Sequence, residues 1–211
     1  MATLRPFRDY DEKDVINLFA WSGAVPVNRG TVVKIQRGFL ATDTNPVMQG
    51  AIAASYNNTV STRWGAYAKV AAAGVGEASL GILLKDVRET DENGELLKFN
   101  PIKAAEMDVV LSGQAVPVCT RGMFLYSGAG NSALLSGCDA HSKLYVGAGG
   151  ELSITPTSGS LTSSFRYTTG TNGVVAALAS GITSAVVGEC LGGLDTSYCT
   201  LVRLNFSDYR Y

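Results

Sequence analysis

Gly81-Ile-Leu-Leu-Lys-Asp-Val-Arg-Glu-Thr-Asp-Glu-Asn-Gly-Glu-Leu-Leu-Lys-Phe-Asn100 is the stretch whose reading decides the fold. Asn93-Gly94 stands between two apolar runs. A two-residue type I′ turn needs φ > 0 at both central positions, which Asn and Gly tolerate best. The reading predicts a hairpin with strands over 80–88 and 96–99. The same grammar repeats outward. Val15–Trp21 is an apolar run closed by Ser22-Gly23, and Gly30-Thr-Val-Val-Lys-Ile35 is a β-branched strand ended by Gly38. In Trp64–Gly74 the glycines favour strand or loop over the helix that its alanines suggest. Pro101–Met107 makes one helical turn or leads straight into Met107–Leu111. Gln114–Cys119 and Gly122–Tyr126 come next, with Pro117 tolerable only at an edge or bulge. Ala185–Leu191 and Thr200–Phe206 pair as two closing strands. Short strands recurring with turn signals between them predict a mainly β fold, a barrel or sandwich.

Composition narrows what such a fold can do. The chain has 211 residues, 46% hydrophobic and only 17% charged, against about 25% charged in an average soluble domain. Its surface is therefore rich in Ser, Thr, Gly, Asn and Ala, or is covered by a partner. A formal net charge of −1 supplies no global attraction to nucleic acid or an anionic membrane, so neither is expected as a partner. No run approaches the roughly 18 apolar residues of a membrane span. The opening residues lack the apolar centre of a signal peptide, which predicts synthesis in a cytosol. Cys119, Cys138, Cys190 and Cys199 are accordingly expected as free thiols packed as small hydrophobes.

Three regions are expected. Residues 1–14 are polar and broken by Pro6, and read as an extended N-terminal arm without a core of its own. Residues 15–126 and 185–211 form the β core domain. Residues 127–184, dominated by Ser, Thr, Gly and Ala, read as an insert or accessory lobe with short strands at Lys143–Val146, Leu152–Ile154 and Ser164–Tyr167. The arm carries Leu4, Phe7 and Tyr10, apolar side chains suited to lying on a neighbour.

Chemical motifs are weak. Gly128-Ala-Gly-Asn-Ser-Ala133 has the spacing of a dinucleotide fingerprint, but Gly137 cuts the required helix short. Glu89, Asp91, Asn93 and Gly94 imitate half a calcium loop, whereas Asn100 stands where a bidentate Glu belongs. Cys138 and His141 have metal-like spacing without any Cys-x-x-Cys pair. His141 is the sole histidine, and no Gly-x-Ser-x-Gly elbow accompanies it as a hydrolase would need. The carboxylates Asp86, Glu89, Asp91, Glu92 and Glu95 read more simply as a solvated hairpin face than as a catalytic pair. No catalytic residue, cofactor or metal is expected, and the chain is read as a non-enzyme.

The phrases Arg29–Ile35, Ser79–Val87, Asp108–Val118, Val186–Leu191 and Leu201–Phe206 resemble tailed-bacteriophage head decoration (cement) proteins. Tyr10–Gly23 and Thr90–Pro101 are similar to structural proteins of phages of aquatic bacteria, including cyanobacteria. That resemblance implies a β-rich virion protein, often trimeric, on the outer capsid surface where it clamps adjacent copies of the major capsid protein. Leu4, Phe7 and Tyr10 are then the expected anchors of the arm, and Arg5 and Arg8 its contacts to acidic shell residues. The competing expectation is a phage tail or receptor-binding module that recognises host-surface glycan through 127–184.

Overall fold

The computed structural model describes residues 3–8, 11–36, 69–111, 113–127, 138–155, 186–193 and 199–206. Tyr10, the glycine motif at Gly128–Ala133 and the strand expected at Ser164–Tyr167 lie outside them. The chain is mainly β with few helices, and one sheet curls into a half-barrel. The strands are β1 (Thr3–Pro6), β2 (Val15–Ile16), β3 (Ala20–Trp21), β4 (Val32–Gln36), β5 (Lys69–Ala72), β6 (Gly81–Leu83) and β7 (Asp86–Val87). After them come β8 (Val109–Val110), β9 (Val118–Cys119), β10 (Arg121–Ser127), β11 (Lys143–Val146), β12 (Leu152–Ser153), β13 (Val186–Cys190) and β14 (Thr200–Asn205). Among the described residues one short α-helix, α1, spans Pro101–Glu106. One six-stranded sheet has the order β1-β10-β14-β13-β11-β12; the other has the order β2-β9-β6-β4-β5-β3, and β7 and β8 form a separate parallel pair.

The second sheet is the middle layer. Val32 pairs with Ile82, and Ile82 with Cys119, which puts those three side chains in one cross-strand row. The row packs in a core with Leu4, Phe124, Tyr126, Leu144, Val202 and Leu204 of the first sheet. Their neighbours Val33, Leu83 and Val118 point the other way, because successive strand residues alternate faces. They join a second core with Phe19, Trp21, Val70, Val87, Val110 and Val116. Burial on both faces explains why Ile82 and Leu83 are apolar in succession, as in strands that meet no solvent. Gly81, also buried, completes the run. A Cβ at Gly81 would collide with the carbonyl oxygen of Cys119, so that close crossing requires glycine.

Three expectations are corrected. The hairpin centred on Asn93-Gly94 has no type I′ turn: only Gly94 has positive φ, at 84°. Gly94 N–H donates to Asp91 O and Asp91 N–H to Glu95 O, the pattern of a type I turn closed by a glycine bulge. The flanks share a single bridge, Thr90 to Leu96, before the chain turns into a 3-10 segment at Leu97–Phe99. The cause is local: the Asp91 carboxylate accepts from the amides of Asn93 and Glu95 and organises the loop from within.

The second correction concerns the ends of the chain and the insert. Thr3–Pro6, expected in a free arm, is the edge strand of the first sheet, with Leu4 opposite Tyr126 and Arg5 opposite Leu125. Leu4 is buried at 3% exposure because it belongs to the strand's inward face. Likewise β11 and β12, expected within an insert, pair with each other and with β13 in that same sheet. The third correction is chemical: Cys138 and Cys190 form a disulfide instead of remaining thiols. Pairing of β11 with β13 brings them together, with Cα atoms 6.8 Å apart. His141 N–H donates to Cys190 O, and Cys190 N–H to Ser142 O. Cys119 is buried and free.

Ile82→Ala empties the centre of the cross-strand row and should lower the unfolding free energy by roughly 2–5 kcal/mol in urea titration. A loss below about 0.5 kcal/mol, the scale of an ordinary surface substitution, would contradict the two-sided burial of the middle sheet.

Candidate interaction surfaces

β1 is an open edge. Phe7 N–H donates to Met123 O at 3.0 Å, so strand alternation turns the Pro6 nitrogen away from β10. Its missing N–H therefore costs no ladder bond. A proline on an open edge also discourages unwanted strand pairing. Leu4 faces inward, while Arg5, Phe7 and Arg8 are exposed, Phe7 by 52%. The four expected contact residues that are described thus divide: Leu4 fixes the strand, and Arg5, Phe7 and Arg8 are presented. Between β1 and the edge strand β2 of the other sheet lies a cleft of about 590 Å³. Leu4, Pro6 and Val15 line it together with Glu12, Arg29 and an ion pair in which Lys85 reaches Asp108 at 2.7 Å.

A second surface projects between β7 and β8, on the side of the middle sheet remote from the first sheet. Its base is rigid. Asp91 pairs with Lys103 of α1 and holds the loop amides with its other oxygen. The Lys103 hydrogen bond, helped by the amides of Glu95 and Asn93, keeps the Asp91 carboxyl below its usual range despite desolvation. The same bond raises the Lys103 ammonium. Both Asp91 oxygens thus serve internal donors, which gives the half calcium pattern a structural role. Asn100 caps α1, accepting from Lys103 N–H at 3.2 Å, and Pro101 occupies the first turn. Leu97 is buried at 1%, yet Leu96, Phe99 and Ile102 are exposed by 43%, 77% and 73%. Glu89, Glu92, Glu95 and Glu106 are exposed around them, and the Lys98 ammonium lies 4.9 Å from the Phe99 ring centre. Sequence reading treated 96–99 as a strand and so missed this knob. The signal available was apolar side chains three residues apart, at 96, 99 and 102, beside an Asn-Pro helix start.

The third surface is the outer face of the first sheet. Met123, Arg203, Glu189 and Lys143 form one cross-strand row, flanked by Arg121 opposite Asn205. Arg203 pairs with Glu189 at 2.7 Å. A concavity of about 510 Å³ lies there, bordered by Arg121, Lys143, Val186 and Arg203.

Burial governs two titratable side chains of the described residues. Burial pushes the Cys119 thiol up to about 11, and its S–H donates to Arg121 O, which keeps it out of the reactive thiolate form. Burial also pushes the Tyr126 phenol up to about 12 while its oxygen accepts from Leu152 N–H. Cys138, considered with His141 as a metal pair, has its sulfur in the disulfide. Among the described residues no group of three or more His, Cys, Asp or Glu side chains could hold a metal ion, and no helix is long and apolar enough to cross a membrane. No protein-family model, curated protein or solved structure matches this chain.

The pH dependence of the knob follows from Asp91. Because its folded pKa is lowered, its stabilising contribution is complete above the ordinary Asp value of about 3.9 and is lost as pH falls through the lower folded value. The amide NMR shifts of Asn93 and Glu95 should titrate together with a midpoint below about 3.9. A midpoint at or above that value would remove Asp91 as the organiser of the loop.

Proposed function

We propose that the chain is a structural protein of a tailed-bacteriophage head that binds the outside of the capsid and stabilises it by clamping adjacent copies of the major capsid protein. The observation that carries this reading is the β1 edge. Arg5, Phe7 and Arg8 stand exposed on a backbone pinned by Leu4 in the core, so an aromatic and two guanidinium groups are offered at little entropic cost. Arg and aromatic side chains are the types that dominate binding at protein interfaces. The strand phrases that carry the resemblance to decoration proteins fall largely on β4, β6, β7, β8, β9, β13 and β14, the framework behind that edge. The mechanism is linkage: a ligand that binds the assembled shell and not its separated subunits stabilises the shell by its binding free energy. Several contacts on one oligomer multiply the effect through effective concentration. In this reading the work is adhesion.

Because β1 is part of the sheet, removal of the N-terminal residues would damage the fold as well as the contact, and point substitutions are the cleaner probe. The triple variant Arg5→Glu/Phe7→Ser/Arg8→Glu should keep the thermal stability of the parent and lose binding to decoration-free heads by about a hundredfold or more, the scale of a lost anchor cluster. Undiminished head binding by the folded variant would contradict the proposal.

A further inference from the structure

We propose that the knob of one copy docks in the concavity on the outer sheet face of a second copy, a head-to-tail contact that goes beyond capsid binding. The two surfaces are complementary in charge and in apolar content. On the knob, Phe99 and Ile102 project at 77% and 73% exposure, and Leu96 stands beside them at 43%. Exposed Glu89, Glu92, Glu95 and Glu106 surround them, against a single nearby exposed cation, Lys98. The concavity offers the reverse. Arg121 and Lys143 are exposed, and Arg203 is exposed beside Glu189, so three cations meet one carboxylate that is already paired. Val186, 49% exposed, provides apolar surface at the rim. Exposed aromatic and aliphatic side chains with a charged rim are the make-up of an interface core and its surround.

The placement of the surfaces decides the kind of contact. The concavity lies on the outer face of the first sheet, whereas the knob leaves the β7–β8 layer on the other side of the middle sheet. One copy cannot bring its own knob to its own concavity through the two intervening cores. A second copy can, and such a heterologous contact leaves one knob and one concavity unused until the chain of copies closes. Within a chain of near-zero net charge, −1, the two patches are opposite in sign, and that opposition steers the copies into one orientation. The rigid base set by Asp91 and Lys103 keeps the knob ordered before contact, which lowers the cost of docking.

The test exchanges charge on one surface at a time, in the full chain without capsid. Glu92→Lys/Glu95→Lys makes the knob basic, and Arg121→Glu/Lys143→Glu makes the concavity acidic. Sedimentation velocity over a concentration series at low salt should show the parent associating and added salt weakening that association. Each folded variant alone should associate about a hundredfold more weakly, as like charges meet. An equimolar mixture should regain association, since acidic knobs again find basic concavities and basic knobs acidic ones. A parent that stays monomeric throughout, variants that associate like the parent, or a mixture that stays dissociated would each overturn the proposal. Head binding is not measured in this experiment, so its failure is separate from any failure of capsid docking.

Discussion

The structure depends on one strand, β6, having no solvent face. β6 sits between β4 and β9, and its residues have to satisfy one core through Ile82 and a different core through Leu83. Each such side chain, fully buried, gains roughly 1.5–3 kcal/mol over the exposed state. Close packing makes every position in the row sensitive to its neighbours. Gly81 shows how tight the arrangement is, since the Cys119 carbonyl occupies the space where any side chain would begin. Gly150 plays a similar part at the β11–β12 connection. It has φ of 81°, and a Cβ there would lie 2.6 Å from both Thr31 Cγ2 and Val32 O. The first sheet is thereby fastened at one corner to the start of β4.

With both cores enclosed, the proposed adhesive role falls to what is left outside. The polar and charged groups inside serve the fold. Lys34 holds Glu77, whose carboxyl is pushed up by burial but brought down on balance by Lys34 and the Gly74 amide. Arg29 N–H is taken by Asp86 at 2.7 Å. Cys119 and Tyr126 are held in their protonated forms. What faces outward is of another kind: a pinned edge bearing Arg5, Phe7 and Arg8, an acidic knob tipped by Phe99 and Ile102, and a basic concavity around Arg203.

The β-branched strand at Val32–Gln36 and the pairing of Val186–Cys190 with Thr200–Asn205 were legible, the last because its burial alternates residue by residue, whereas Trp64–Gly74 was legible only as strand or loop and contains the strand Lys69–Ala72. Three features were not. Asn93-Gly94 carries the same letters in a type I′ turn and in a glycine bulge; the Asp91 carboxylate chooses between them, and its partner Lys103 lies on a helix further along. Leu4 reads alike in a free arm and in an edge strand, and only the register with Tyr126 distinguishes them. Cys138 and Cys190 are separated by 52 residues, and their meeting depends on β11 pairing with β13, which no local pattern announces. Of the candidate contact residues, Arg5, Phe7 and Arg8 are exposed and Leu4 is buried, whereas the knob and the concavity exist only once strands and turns are assembled.

Image reconstruction of phage particles assembled in the presence of this protein tests the proposed adhesive role most directly. The expected result is density for the two-sheet body on the outer capsid surface, in numbers approaching those of the major capsid protein, with the β1 edge against the shell. Absence of that density from the head, or its confinement to a few copies on the tail, would contradict a decoration protein that clamps the capsid.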